Sequence, residues 1–292
     1  MPLDTAYAEF LAGKRPAANA VGLDKVPDLH SDLMPHQRDC VAFGLRQGRF
    51  GLFLDTGLGK TFSQLEWASH ALEASNGKAL ILAPLAVAAQ IVREGKTRGY
   101  EVQQIRDQSE AREGINVCNY DRLDRLDFDA FGAVSLDESS ILKSFTGKTT
   151  RALIDAFRDH RFRCAATATP APNDHMELGQ HSEFLGVMRS NEMLMRWFIA
   201  DQTEMGRYRL KGHAEASFWD WMASWCRMAE TPADFGYDAS AYNLPPLNVH
   251  RHRAAGDIRA PAGLLFAGDL SATTLHETKR QTADAAQRRL RR

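Results

Sequence analysis

The apolar run Leu52-Phe-Leu54 breaks into Asp-Thr-Gly-Leu-Gly and passes at once into Lys60-Thr61 and a stretch of helical period. Few folds accept that order. A buried strand that enters a tight, glycine-containing turn and opens directly into a helix aims successive backbone N–H groups at one centre. The helix N-terminus adds the positive end of its dipole. Such a turn cradles phosphate. Thr56, Gly57, Leu58 and Gly59 would wrap the oxygens, Lys60 would reach the β- and γ-phosphates, and the Thr61 hydroxyl would ligate Mg²⁺. The residues therefore predict binding of a nucleoside triphosphate with Mg²⁺ as cofactor. One position departs from the full pattern, which asks for glycine at position 54, where Leu54 stands.

Around this turn, short apolar runs alternate with helical segments. Strands are predicted over 51–54, 79–83, 115–118, 133–136 and 163–167, and helices from Pro35 and over 61–74, 86–98 and 149–159. Proline is favoured at a first helical position, and the helix that starts there would put Cys40, Val41, Gly44 and Leu45 on one face. This alternation indicates an α/β fold, a P-loop NTPase with a doubly wound parallel sheet. Beyond about residue 185 the texture changes. The segments 188–205 and 214–228 are rich in Met and Trp and read as a C-terminal helical extension. Trp197, Trp219, Trp221 and Trp225 are placed in its core, with base stacking as the alternative. Leu244-Pro-Pro-Leu247 reads as a linker. The last 42 residues carry nine Lys/Arg against four Asp/Glu, which reads as a solvated helix end.

The second motif is Val134-Ser-Leu-Asp-Glu-Ser-Ser140, an apolar strand ending in two acids. Alone, such a pair is often a polar turn. Placed 77 positions after Lys60 at the end of a later strand, it completes a hydrolysis site. Asp137 would hold Mg²⁺, and Glu138 would orient or deprotonate the attacking water. Lys60, Asp137 and Glu138 are the predicted catalytic residues.

The rest of the composition narrows the surroundings. A formal net charge of −1 argues against a protein that coats polyanions throughout, yet allows a local basic groove. No apolar run approaches the length of a membrane span, and the N-terminus carries no signal-peptide pattern. Cys40, Cys118, Cys164 and Cys226 form no CxxC pair and read as buried small hydrophobes, in keeping with a reducing cytoplasm.

Four further segments narrow the class. Leu33-Met-Pro-His-Gln-Arg38 precedes the glycine turn, Ala83-Pro84 and Asn119-Tyr120 end two strands, and Cys164-Ala-Ala-Thr-Ala-Thr-Pro-Ala-Pro-Asn-Asp174 follows the acids. With the glycine turn and Asp-Glu-Ser-Ser, these resemble the ordered motifs of superfamily 2 helicases. They are most similar to the Swi/Snf-like, DEAD/DEAH-type helicases of bacterial viruses, and the resemblance covers roughly residues 33–250. It implies a RecA-like ATP-binding lobe over 34–187, after an N-terminal extension at 1–33. A helical extension at 188–243 would follow, then a linker and the start of a second lobe at 244–292. It implies that Gln37 reads the adenine edge, since an amide both donates and accepts. Thr167 and Thr169 would couple γ-phosphate to nucleic acid. Pro84, Gln90, Asn119, Tyr120 and Lys143 would lie along the nucleic-acid backbone, DNA more than RNA.

Two departures shape the expectation. The fourth residue of the acidic box is Ser140, where the family's subgroups carry His or Asp. Helicases of this superfamily also hydrolyse ATP between two lobes, the second of which supplies an arginine finger worth ~10³–10⁵ in rate. No Gln-x-x-Gly-Arg-like motif follows residue 250, and Arg251 and Arg253 are the local substitutes. The chain is thus expected to bind ATP, to hydrolyse it poorly alone, and to take a second lobe in trans. The alternatives are a non-hydrolysing regulatory module that binds DNA or a partner lobe, and a small-molecule kinase, which would leave Gln37 and Thr167-Ala-Thr169 unexplained.

Overall fold

Seven parallel strands form the centre of the described fold, and the five inner ones are buried on both faces because helices cover both sides. The computed structural model describes residues 16–143, 147–200 and 208–243. The linker at 244–247, Arg251, Arg253 and the basic tail lie outside the described residues. In chain order the elements are α1 (Pro35–Gln47), β1 (Arg49–Leu54), α2 (Lys60–Glu73), β2 (Lys78–Ala83), α3 (Leu85–Thr97), β3 (Val102–Gln104) and β4 (Gly114–Asn119). Then follow β5 (Ala133–Asp137), α4 (Lys148–Ala156), β6 (Phe162–Ala166), α5 (Leu178–Leu185), α6 (Ser190–Trp197), β7 (Phe198–Ala200), β8 (Tyr208–Leu210), α7 (Glu215–Ala223) and β9 (Cys226–Ala229). The sheet order is β3-β4-β2-β5-β6-β1-β9, and β7 and β8 pair separately as an antiparallel hairpin.

Alternation along the strands divides the core in two. Leu52, Leu54, Ile81, Val117 and Cys164 face α1, α2 and α3, where Cys40, Val41, Leu45, Phe62, Leu65 and Trp67 meet them. Phe53, Leu80, Leu82, Leu136 and Ala165 face the other way, onto α4 to α7 with Phe184, Phe218, Trp221 and Trp225. Trp197 stacks on Trp221 with ring centroids 4.7 Å apart, and both are buried with Trp225, so these three tryptophans are core. All four cysteines are buried and free. No helix among the described residues is long and apolar enough to cross a membrane.

The five strands and the early helices expected from the sequence are all present, within a few residues of their expected ends. Besides β8, which pairs with β7, three strands are corrections to the expected helices, or additions. The helix expected over 188–205 ends at Trp197, and Phe198-Ile-Ala200 turns into β7. The helix expected over 214–228 ends at Ala223, and Cys226–Ala229 extends as β9 along β1, pairing Leu54 with Ala229. Neither segment is long enough to show period-2 alternation, and what makes β9 a strand is the free edge of β1, a contact across the whole chain. The third, β3, is three residues on the opposite edge.

At the amino edge of the sheet, away from the strand ends discussed below, Glu66 of α2 is buried and accepts hydrogen bonds from the His30 backbone N at 2.7 Å and from the Tyr100 hydroxyl. His70 Nε2 lies 3.2 Å from the same carboxylate. Burial pushes the Glu66 carboxyl up, but the bonds from His70, Tyr100 and His30 outweigh it and hold the group below its ordinary value. The bond to Glu66 holds His70 above its ordinary value. The Glu66 contribution to stability is therefore lost as pH falls through its lowered folded value, and the His70 contribution as pH rises through its raised one. Glu66→Gln is expected to destabilise by about 1–3 kcal/mol between those limits, where a buried donor loses its acceptor. The penalty should shrink at either extreme of a denaturation series against pH. A penalty independent of pH would remove the ionic account of this cluster.

Candidate active site

Strand order decides which loops meet. β5, β6 and β1 are neighbours and run in the same direction, with Ala166 of β6 paired to Asp137 on one side and to Leu52 on the other. The residues that leave their carboxyl ends, Glu138, Thr167 and the loop 55–59, therefore share one edge. This is the edge at which parallel α/β sheets bind ligands.

The loop is built as its glycines require. Gly57 and Gly59 have φ of 86° and 79°, a region open to glycine and strained for other residues. A Cβ on Gly59 would sit 2.0 Å from Gln37 Nε2, because α1 lies directly behind the turn. Gln37 Nε2 donates to the Leu58 carbonyl at 3.1 Å, His36 Nε2 lies 3.2 Å from the same oxygen, and Gln37 Oε1 accepts from the Met34 backbone N at 3.1 Å. Gln37 thus clasps the loop and keeps one N–H and one lone pair of its amide for anything beyond. Gly59 caps α2 without a side-chain hydrogen bond, so no side chain answers the first-turn N–H groups there. Thr56 is exposed, Leu58 is buried, and Thr61 is half-buried in the first turn of α2. At the far side the Asp55 backbone N donates to the Ala229 carbonyl of β9 at 2.9 Å.

Lys60 folds over the loop, donating from Nζ to the Leu54 carbonyl at 2.9 Å and the Asp55 carbonyl at 3.2 Å. Burial lowers its pKa, opposed by the nearby Glu138, Asp137 and Asp55 carboxylates. Asp137, 6% exposed, shifts the other way. Burial raises it, Glu138 adds to the rise, and a hydrogen bond from Gln64 together with Lys60 opposes it. That bond, Gln64 Nε2 to Asp137 Oδ1, is 2.8 Å long, and Gln64 Oε1 in turn accepts from Ser135 Oγ at 2.7 Å. Glu138 is exposed, and its Oε2 accepts from Thr167 Oγ1 at 3.3 Å. Thr167 Oγ1 also accepts from the Thr169 backbone N at 3.1 Å. The acidic pair, the lysine and the two threonines thus form one electrostatic unit.

Such a site can hold a polyanion against Lys60 and the helix end, and can present a carboxylate to a proton. No three His, Cys, Asp or Glu side chains converge as a protein cage for a metal among the described residues. The donors fit instead the sparse set with which Mg²⁺ is held, one or two protein oxygens completed by phosphate and water. Asp137, a buried carboxyl with a raised pKa, and Thr61, in the first turn of α2, are donors of that kind.

The five candidate nucleic-acid residues are not equivalent. Gln90 and Lys143 are exposed, and Pro84 is half-buried at the end of β2, beside the exposed Leu85. Asn119 is buried, and the Tyr120 hydroxyl donates to the Asp137 carbonyl at 2.8 Å, so that phenol braces the acidic box from β4. Sequence reasoning missed Gln64, Ser135 and His181. Gln64 sits one turn after Lys60, but a glutamine on a helix carries no signal until the strand order puts β5 beside it.

No protein-family model matches the chain, and no curated protein matches it. Its fold is similar to the Sulfolobus solfataricus SWI2/SNF2 ATPase core domain, with a TM-score of 0.56 and 19% identity over 79% of this chain and 50% of that one. The Sulfolobus solfataricus SWI2/SNF2 ATPase core in complex with dsDNA gives a TM-score of 0.56 and 18% identity over 70% of this chain and 46% of that one. The chain spans about half the length of these structures. The likeness establishes the fold, an α/β RecA-like lobe of the P-loop NTPase type.

Proposed function

We propose that this chain is the ATP-binding lobe of a nucleic-acid-dependent ATPase of the helicase or translocase type, which hydrolyses ATP to ADP and phosphate once a second lobe completes the site. The observation that carries this reading is the convergence of the acidic box, Thr167 and the Gly-Lys-Thr loop on three adjacent strand ends, joined by the Glu138–Thr167 bond. A module retired from hydrolysis has no need for a buried Asp137 held in place by Gln64 and Ser135.

In this reading the loop N–H groups and Lys60 bind the β- and γ-phosphates, and Lys60 exchanges its two carbonyl partners for phosphate oxygens. Thr61 and Asp137 would hold Mg²⁺, which when bound would neutralise phosphate charge. Glu138 orients the attacking water and takes its proton, and Gln37 offers the free half of its amide to the base. Thr167 and Thr169 link Glu138 to the strand-end loops that would meet nucleic acid. Contacts there, from Pro84, Gln90 and Lys143 at the surface with Asn119 and Tyr120 beneath, fall mainly on phosphates and so favour no sequence. One of the similar Sulfolobus ATPase cores was solved in complex with dsDNA, which supports DNA as the polymer for this chain.

Titration of a fluorescent ATP analogue with Mg²⁺ tests the premise. Lys60→Ala is expected to weaken binding about 10–100-fold, the equivalent of one charge-assisted hydrogen bond. DNA should raise the turnover of the native chain and leave Lys60→Ala silent. Equal affinity in the two proteins would sink the assignment.

A further inference from the structure

The acidic box leaves β5 through an unusual backbone step. Glu138 has φ of 52° and is the one non-glycine residue with positive φ among the described residues. A side chain in the left-handed region persists where its neighbours over-determine it. Besides the Tyr120 hydroxyl on the Asp137 carbonyl, two contacts grip the step, and both come from the segment 167–181.

The first is the Thr167 hydroxyl on the Glu138 carboxylate, at 3.3 Å. The second comes from α5. His181 is wholly buried, with its ring edge-on to Phe53 at a centroid distance of 5.2 Å, and its Nε2 shares a hydrogen bond with Ser139 Oγ at 3.2 Å. Ser139 is itself wholly buried, directly after Glu138. A buried imidazole aimed at a buried hydroxyl between apolar layers is a demanding arrangement, since each group needs the other to offset its desolvation. Burial pushes the imidazole down to about 4, so it is neutral at physiological pH and the bond is a neutral one. Nothing in the proposed chemistry uses His181 directly, and α5 otherwise meets the core through Leu178, Phe184 and Leu185.

We infer that His181 is a positioning residue for Glu138: acting through Ser139, it fixes the left-handed step that aims the Glu138 carboxylate at the water. The inference rests on the reading of Glu138 as the water-activating group. It gives the segment 167–181 two separate holds on one carboxylate, Thr167 on its oxygen and His181 on its backbone. A shift of α5 would then reach the hydrolytic group through Ser139.

The test is single-turnover ATP hydrolysis by the full chain in excess over ATP, with Mg·ADP affinity measured beside it. Ser139→Ala and His181→Leu are each expected to slow hydrolysis about 10–100-fold, the range for a misaimed catalytic group, while ADP affinity stays unchanged. His181→Gln, whose amide can reach the same hydroxyl, should recover most of the rate. The double variant Ser139→Ala/His181→Leu should be no slower than either single one, because both remove the same bond. Should His181→Leu fail to fold, Ser139→Ala and His181→Gln decide the matter. A native rate in folded Ser139→Ala, or a loss matched by an equal loss of ADP affinity, overturns the inference. Glu138→Gln run in parallel separates the two ideas. If it leaves hydrolysis intact, the reading of Glu138 falls and the role of His181 with it. If it alone slows hydrolysis, only the His181 inference falls.

Discussion

Glu138→Gln is expected to lower ATP hydrolysis by ~10²–10⁴-fold, the usual contribution of a general base, and to leave ATP affinity at its native value. The substitution is nearly isosteric, and the amide oxygen can still accept from Thr167 Oγ1, so the left-handed step and the threonine contact survive. What it removes is the ability to take a proton. Binding should be untouched, because in the proposed reading the phosphate contacts come from Lys60 and the loop N–H groups. Single-turnover hydrolysis and nucleotide titration on the same preparation check both halves. A loss of affinity comparable to the loss of rate would assign Glu138 to metal binding in place of proton transfer.

Supplying a second RecA-like lobe is expected to raise turnover further still, by ~10³–10⁵-fold, if that lobe brings an arginine to the γ-phosphate. The described residues hold one parallel sheet, and the cation that bears on the Asp137 carboxyl is Lys60, whose Nζ lies over the loop carbonyls. A lysine in that position stabilises bound phosphates in ground and transition state alike. Charge that develops on the transferring group calls for a second donor from the open side of the site. Titrating a purified second lobe of the proposed ATPase class into the chain, with DNA present, measures the gain. The same lobe with its candidate finger changed to alanine should give none. Turnover that stays flat at every ratio would count against completion in trans.

How much of this was readable from residues alone depends on range. The five expected strands announced themselves as short, mostly apolar runs, because a strand covered on both faces has few polar residues to interrupt it. The shape of the proposed phosphate loop was legible for a different reason. Backbone conformation there is dictated locally, by Gly57 and Gly59, and the lysine and threonine that follow have little freedom in where they point. Asp137 and Glu138 could be read as a pair, and their mutual electrostatics followed. The supports could not. Gln64, Ser135 and His181 matter because of what stands opposite them, and their partners come from strands and helices far away in the chain. The same holds for β9, which sequence periodicity rendered as helix. Tyr120 shows the limit from the other side: its position at a strand end suggested a nucleic-acid contact, and its hydroxyl is engaged by the Asp137 carbonyl.

β9 has a practical meaning for anyone who trims this protein. It seals the open flank of β1, and its last carbonyl anchors Asp55 at the mouth of the phosphate loop. A chain cut before Cys226 would turn the strand that feeds the loop into a raw sheet edge, with unsatisfied N–H and C=O groups beside newly bared tryptophans. Raw edges recruit other chains. The shortened protein would sacrifice its solubility along with the footing of the proposed nucleotide site, and a bench failure of that kind would say nothing about whether the intact lobe works.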